Sequence, residues 1–197
     1  MKYFFFFCLG CLSFAQANPI QMVETNLTSI KTMEARFSHV DSGGKSYKGT
    51  LYLKKPGKIK LVYDSPSPFL IVSDGSALIY EDHETFEATY PPLESAPLSF
   101  LLDQKTDLKK EFQIEKAWEE GDLIFLSCQN KKNYFHLTLS FSKREKNIVG
   151  WKSIDAQGNE IDIHLSDIKK NLDLRDDLFL FQQKPRWKTH TKERRSL

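Results

Sequence analysis

Residues that could carry out chemistry are spread thinly along this sequence. Its five histidines lie far apart, without the short spacing at which metal ligands recur on one element: His39, His83, His136, His164 and His190. No nucleophile elbow, Walker loop or glycine-rich dinucleotide motif occurs. No pair of carboxylates stands isolated in an apolar stretch, as general acid–base chemistry would suggest. The sequence therefore predicts no metal site, no cofactor and no catalytic centre.

Two neighbouring strands instead offer an apolar surface. Leu51, Leu53 and Lys55 share one face of their strand, and the next strand repeats the pattern over Ile59–Tyr63. An unpaired lysine is costly to bury on such a face. At the rim of a cleft, however, its stem can lie on apolar surface while its head reaches a hydrogen-bond acceptor. The alternative, that Lys55 only starts the turn and is solvated, stays open.

Period-two patterns separated by turn residues predict a mostly β structure that follows one helix. Asn18 and Pro19 suit the N-cap and the first position of that helix, and Ile20, Val23, Leu27 and Ile30 recur at helical spacing. The predicted strands are Met33–Ser38, Tyr47–Leu53, Ile59–Tyr63, Phe69–Ser73, Leu78–Glu81, Phe86–Tyr90, Phe112–Trp118, Leu123–Cys128, Tyr134–Ser142, Ile148–Asp155, Ile161–Leu172 and a short Phe179–Phe181.

A second short helix is predicted at Pro97–Asp103, and tight turns join most of the strands. This order favours a single curled antiparallel sheet, or incomplete barrel, capped by two short helices. The inner face of such a sheet is either a packed core or a lined cavity, and the pattern alone does not choose between them.

The first seventeen residues have the pattern of a cleaved secretory signal peptide. Lys2 is followed by the uncharged apolar run Tyr3–Phe14 and by Ala15-Gln16-Ala17, so the mature chain would begin at Asn18. The apolar run is shorter than the ~20 residues that span a bilayer. We therefore expect an exported chain with one domain at 18–183.

Cysteine usage and charge exclude several other classes. Cys8 and Cys11 lie in the signal peptide without a lipid-attachment pattern, and Cys128 alone remains, which we expect to be a small buried hydrophobe. The net charge is +2, with acidic and basic residues interleaved, so no face suggests nucleic-acid binding. The basic residues of 184–197 predict a flexible, solvated tail or a contact with an acidic partner or anionic membrane.

The centre of the chain carries motifs whose order and spacing are those of a known family. They are Gly49–Pro56 (GTLYLKKP), Pro66, Ile71–Gly75 (IVSDG) and Leu78–Tyr80 (LIY). This stretch resembles the outer-membrane lipoprotein carrier proteins, the LolA family. The likeness extends to Phe37, to Pro97-Leu98 with Leu101-Leu102, and to Phe179–Phe181 before Pro185, whereas residues 112–172 match in strand pattern only.

The resemblance implies a half-open β-barrel whose helices form a lid over a hydrophobic cavity. It implies a monomeric periplasmic chaperone that takes triacylated lipoproteins from an inner-membrane ABC transporter to an outer-membrane receptor lipoprotein. Such cargo needs a carrier because each exposed CH₂ costs ~0.8 kcal/mol. The residues that the resemblance places in the cavity are Phe37, Leu51, Leu53, Ile59, Leu61, Tyr63, Leu70, Val72, Leu98, Leu101 and Leu102.

Two positions depart from the family pattern. The family's lid-latching Arg is replaced by Lys55, which keeps the charge but loses the planar fork of donors. We expect the Lys55 side chain to lie at the cavity mouth and to donate to the lid around Pro97–Leu102. Leu61 stands where the family tends to have Trp. Three alternatives remain: a periplasmic sensor or regulatory protein of this fold, the receptor of the same fold, and a secreted enzyme with an unrecognised site.

Overall fold

A computed structural model describes residues 18–67, 69–85 and 87–182. The predicted signal peptide (1–17) and basic tail (184–197) lie outside these residues. The described strands are β1 Thr32–Asp41, β2 Ser46–Lys54, β3 Lys58–Tyr63, β4 Phe69–Asp74, β5 Leu78–Asp82, β6 Glu87–Thr89, β7 Phe112–Glu120, β8 Leu123–Asn130, β9 His136–Ser142, β10 Asn147–Ile154 and β11 Glu160–Lys170. The helices are α1 Pro19–Ser29 and α2 Leu108–Glu111, with 3₁₀ turns at Leu93–Ser95, Ser99–Leu101 and Asp176–Phe179.

All eleven described strands form one antiparallel sheet. The strand order is β6-β5-β4-β3-β2-β1-β11-β10-β9-β8-β7, so the first and last strands pair at the centre. The edge strands β6 and β7 do not pair with each other, and the barrel stays open. The predicted fold class, a curled antiparallel sheet forming an incomplete barrel, is confirmed.

Helix α1 lies against one face of the sheet, which we call the inner face. The Asn18 side chain accepts a hydrogen bond from the Ile20 amide at 3.0 Å, as the N-cap prediction requires. Val23 and Leu27 of α1 are buried in the main hydrophobic core. Because apolar residues recur every three to four positions, one stripe of this helix can be buried while the rest meets water.

The segment between β6 and β7 covers the rest of the inner face, and we call its residues 93–102 the lid. Phe100 is fully buried, with its ring edge-on to Phe112 and Trp151 at centroid distances of 6.4 and 6.2 Å. The predicted helix at Pro97–Asp103 is wrong in type: the lid contains two short 3₁₀ turns. The backbone amide of Gly57 ties the lid to the β2–β3 turn by donating to the Leu102 carbonyl at 3.0 Å.

After β11 the chain crosses to the opposite, outer face of the sheet, and we call residues 171–182 the strap. The strand predicted at Phe179–Phe181 is wrong, because Asp176–Phe179 forms a 3₁₀ turn over β3 and β4. Lys54 and Lys60 donate to the strap carbonyls of Leu174 and Leu178 at 2.7 and 3.0 Å. Phe179 is fully buried there although it lies outside the main core.

Candidate ligand cavity

A cavity of about 440 Å³ lies between the inner face of the sheet and the lid. That volume falls at the lower end of the ~300–1,000 Å³ typical of small-molecule sites. The residues that border it are His39, Leu61, Tyr63, Phe69, Leu70, Ile71, Tyr80, Glu81, Asp82, Thr85, Glu87, Thr89, Pro97, Leu98, Trp151, Ser153, Ile161 and Ile163. Aliphatic and aromatic side chains form most of the wall, so the cavity suits an apolar ligand.

Strand register explains how two distant parts of the sequence meet in this wall. Leu61 pairs with Ile71 across β3 and β4, and Trp151 pairs with Ile163 across β10 and β11. Directly opposed residues of an antiparallel pair lie on the same face, so each pair presents two apolar side chains together. Because the sheet curls, both pairs line one cavity.

Aromatic rings meet at the end of the cavity furthest from the β2–β3 turn. The Tyr63 ring is edge-on to Phe37 at 5.0 Å and to Phe69 at 6.0 Å between centroids. Gly49 makes room for this cluster, because a Cβ there would lie 2.5 Å from the Phe37 ring and 2.3 Å from the Val62 carbonyl oxygen. Glycine is thus required by a close approach of backbone and ring.

His39 brings a polar atom into this aromatic wall. Its Nδ1 lies 3.2 Å from the Tyr63 hydroxyl, while its buried Nε2 has no partner among the described residues. Burial lowers the pKa of His39, against the opposing charge of Asp41. Burial likewise raises the pKa of the Tyr63 and Tyr80 hydroxyls. At neutral pH these three groups present uncharged hydrogen-bonding atoms beside the cavity.

The residues predicted for the cavity fall into three sets. Those that border it are Leu61, Tyr63, Leu70 and Leu98. Those that lie in the packed core, away from the cavity wall, are Phe37, Leu51, Leu53, Ile59, Leu101 and Leu102. Val72 is on the other side of the sheet: it pairs with Lys60, out of phase with the inward Leu61–Ile71 pair. Leu70 pairs with Val62 and shares the phase of Val72, although it borders the cavity. In this structure the strap side of the sheet buries Val72, so we correct its placement.

Lys55 lies at the opposite end of the sheet from the cavity. Its Nζ donates to the Leu27 carbonyl of α1 at 2.8 Å and approaches Thr106 Oγ1 at 3.4 Å. The predicted contact with Pro97–Leu102 is therefore replaced by contacts with α1 and with the chain just beyond the lid. Burial lowers the pKa of Lys55 to about 8, although Asp103 opposes that shift. Its head is held by α1, not by the cavity mouth.

Several of the residues that border the cavity were not predicted from the sequence. Trp151, Ser153, Ile161 and Ile163 lie in the region where only the strand pattern was recognised. Their alternation with polar neighbours such as Lys152 indicates that they face inward. It does not indicate which distant strand lies opposite them across the cavity. The remaining missed residues are His39, Phe69, Ile71, Tyr80, Glu81, Asp82, Thr85, Glu87, Thr89 and Pro97.

Cys128 is fully buried, as predicted, and its Sγ donates to the Leu137 carbonyl at 3.3 Å. Burial, aided by Glu115, raises the pKa of this thiol to about 12, so it is protonated and unreactive at neutral pH. Within the described ranges, no three His, Cys, Asp or Glu residues come together as metal ligands. No helix in the same ranges has the length and apolar character needed to cross a bilayer.

A single open antiparallel sheet with a lid over an apolar cavity defines this chain as a half-barrel with an internal binding space. Residues 28–182 match the family described as outer membrane lipoprotein carrier protein LolA. The chain belongs to this LolA family.

Two relatives and one solved structure illustrate the similarity. An uncharacterized protein of Rickettsia prowazekii is 26% identical over 89% of this chain and 83% of its own length. A Chromobacterium violaceum protein named outer-membrane lipoprotein carrier protein is 28% identical over 87% of each chain. The crystal structure of a LolA superfamily protein from Nitrosomonas europaea aligns with a TM-score of 0.48 at 11% identity, covering 82% of this chain and 97% of that one.

Proposed function

We propose that this protein is a periplasmic carrier that binds the acyl chains of lipoproteins beneath its lid. In this proposal it receives them from an inner-membrane ABC transporter and delivers them to an outer-membrane receptor. The observation that carries the proposal is the apolar cavity of about 440 Å³ between sheet and lid. Membership of the LolA family, with relatives named as lipoprotein carriers, supports the choice of cargo.

The hydrophobic effect explains why such a cavity could both bind and release its cargo. Each CH₂ removed from water contributes ~0.8 kcal/mol, so even one chain of moderate length is held firmly. Release then needs an element of the protein that covers the apolar wall of the cavity as the acyl chain leaves. The lid can do this, because Leu98, Leu101 and Leu102 are buried against the sheet and cover its apolar side chains when no ligand is bound.

A cavity-filling substitution tests the proposal. Ser153 is buried on β10 at the cavity border, so Ser153→Phe places a ring in the space that an acyl chain would occupy. We expect at least a tenfold loss of affinity for a fluorescent apolar probe, with the thermal midpoint unchanged or raised. Transfer of a lipoprotein to the receptor should fall in parallel.

The matched control is Ser140→Phe on β9. Ser140 is half-buried, alternates with the inward Leu139 and Phe141, and does not border the cavity. This variant should bind the probe like the wild type. Equal binding by all three proteins, or no probe binding by any of them, would contradict the carrier proposal.

Compartment and cargo can be tested on protein extracted from the periplasm. Native mass spectrometry should detect a chain that begins at or next to Asn18 and carries bound acylated species. A chain that retains residues 1–17, or one found only in the cytoplasm, would overturn the periplasmic part of the proposal.

A further inference from the structure

The charged residues that border the cavity are all acidic. Glu81, Asp82 and Glu87 lie at its border, together with the neutral polar groups of the wall. None of the described bordering residues is Lys or Arg. Lys45 approaches the same end of the sheet, but its Nζ lies over the Tyr47 ring, 5.0 Å from the centroid, and it does not border the cavity.

The three carboxylates come from a single hairpin, β5–β6, at the edge of the sheet. Glu81 is buried and has His83 as a partner, with Nε2 and Oε2 2.8 Å apart. Asp82 is fixed by its own turn, because its Oδ1 accepts the backbone amide of Glu84 at 2.7 Å. Asp82 pairs with Glu87 across the hairpin, so these two side chains share a face and place two negative charges together.

We propose that the cavity selects an apolar chain whose polar end is neutral or cationic, and rejects one that ends in an anion. A chain buried among Leu61, Ile71 and Trp151 leaves its polar end beside Asp82 and Glu87. There an amide N–H or a cation finds acceptors, whereas a free carboxylate or phosphate meets like charge. This selection favours the acylated end of a polypeptide over free fatty acids and anionic phospholipids, and it rests on the proposed carrier function.

Three probes with the same twelve-carbon chain and different polar ends test this selection. They are dodecanoate, dodecyltrimethylammonium and N-dodecanoylglycine amide, each used below the concentration at which it forms micelles. We expect the ammonium and the amide to displace a fluorescent apolar probe at roughly tenfold lower concentration than the carboxylate at low salt. The difference should shrink at high salt, because Asp82 and Glu87 are accessible to screening ions.

A charge-removing variant assigns the effect to the hairpin. In Asp82→Asn/Glu87→Gln, the Asn oxygen can still accept the Glu84 amide, and we expect the preference against dodecanoate to fall to about twofold or less. The matched control, Glu119→Gln/Glu120→Gln, removes the same charge from β7 at the opposite edge of the sheet and should keep the full preference.

The outcomes separate this inference from the carrier proposal. If all three probes bind equally, or dodecanoate binds best, the selection is overturned while the carrier function stands. A preference that survives in Asp82→Asn/Glu87→Gln would overturn the assignment to this hairpin. If none of the probes binds, the carrier proposal fails and the selection fails with it.

Discussion

Lys55 lies in the β2–β3 turn, between helix α1 and the lid, at one end of the inner face. It stands where the family's lid-latching Arg is expected, yet its ammonium donates to the last turn of α1 at the Leu27 carbonyl. A cation near a helix C-terminus also interacts favourably with the helix dipole. The backbone of the same turn binds the lid through Gly57 and Leu102. Lys55 therefore connects α1 to the turn that holds the lid, instead of contacting the lid itself.

The pKa of Lys55 leads to a prediction about stability. Burial lowers this pKa from its ordinary 10.5 to about 8, so between pH 8 and 10.5 the unfolded chain binds more protons than the folded chain. The free energy of unfolding should therefore rise with pH across this window, relative to Lys55→Met. Because the ammonium is partly solvated, we expect a gain of only about 1 kcal/mol.

Urea unfolding of wild type and Lys55→Met at pH 7.5 and pH 10 measures this gain. Met keeps the aliphatic stem, so the comparison isolates the ammonium, and other titrating groups cancel between the two proteins. Lys55→Arg supplies a second comparison, since its guanidinium stays charged and should show no gain over this range. Parallel pH profiles for all three proteins would mean that Lys55 is solvated like an ordinary turn residue.

At the scale of elements, the strap is where the last strand implied by the family resemblance is replaced by a 3₁₀ turn. Three lysines on β2 and β3 hold it: Lys54 and Lys60 bind its carbonyls, and Lys54 and Lys58 lie 2.8 and 3.0 Å from Asp176. Lys54 and Lys58 lower the pKa of the Asp176 carboxyl. Asp176 is largely exposed, so these ion pairs orient the strap more than they stabilise it.

Burial of Phe179 is expected to be the main stabilising contribution of the strap. Its ring is fully buried between the strap and the outer face of the sheet. Removing a buried Phe side chain typically lowers the free energy of unfolding by about 3–5 kcal/mol. We predict a loss in that range for Phe179→Ala and a much smaller change for Asp176→Asn, both measured by urea unfolding. Similar losses for the two variants would show that the ion pairs stabilise the strap as much as the buried ring does.

The strap also explains which part of the fold the sequence could not predict. Strand boundaries on β2 to β5 were accurate within one residue, because alternation and turn residues mark them locally. The family resemblance placed Leu70 and Val72 in the cavity, although both alternate along β4 with the inward Ile71. Ile71 is equally apolar, and both faces of β4 are buried, one by the core and one by the strap. Alternation cannot rank two apolar faces, so Val72 was misplaced.

The short helical segments also could not be predicted from local sequence patterns. α2 at Leu108–Glu111 was missed, although Asp107 is its N-cap and accepts the Lys110 amide at 3.0 Å. A four-residue helix has too little periodicity to be recognised. The Phe179–Phe181 run is apolar in any conformation, so composition could not distinguish a strand from the 3₁₀ turn that buries Phe179. The cavity depends on such long-range contacts, and of its bordering residues only Leu61, Tyr63, Leu70 and Leu98 were predicted.

At the scale of the whole molecule, the cavity is small compared with a triacylated cargo. About 440 Å³ suits one drug-sized ligand, and three long acyl chains need several times that space. The lid covers the additional apolar surface, because Leu51, Leu53 and Ile59 lie in the same core as Leu101 and Leu102. Displacing the lid would therefore lengthen the cavity along β2 and β3 without unfolding the sheet.

This arrangement predicts opposite responses of the lid to small and large ligands. A single twelve-carbon chain should fit beneath Leu98 and slow amide hydrogen exchange over residues 93–102. A triacylated lipopeptide should displace the lid and speed exchange there, because the Leu102 carbonyl then loses its bond from the Gly57 amide. Amides at the sheet centre, in β1 and β11, should be protected by both ligands, since any ligand that binds only the folded state stabilises it by mass action, by ~2.7 kcal/mol at a hundredfold excess over Kd.

Phe100→Ala supplies the matched variant for this measurement. Loss of its contacts with Phe112 and Trp151 should speed lid exchange in the free protein and reduce the further increase caused by the lipopeptide. The sheet amides should keep the same order of protection as in the wild type, because the substitution weakens the lid and leaves the strand pairing intact. If the lipopeptide slows lid exchange in the wild type, the large cargo is held beneath a closed lid, and the space for its chains must come from movement of α1 or of the strand edges.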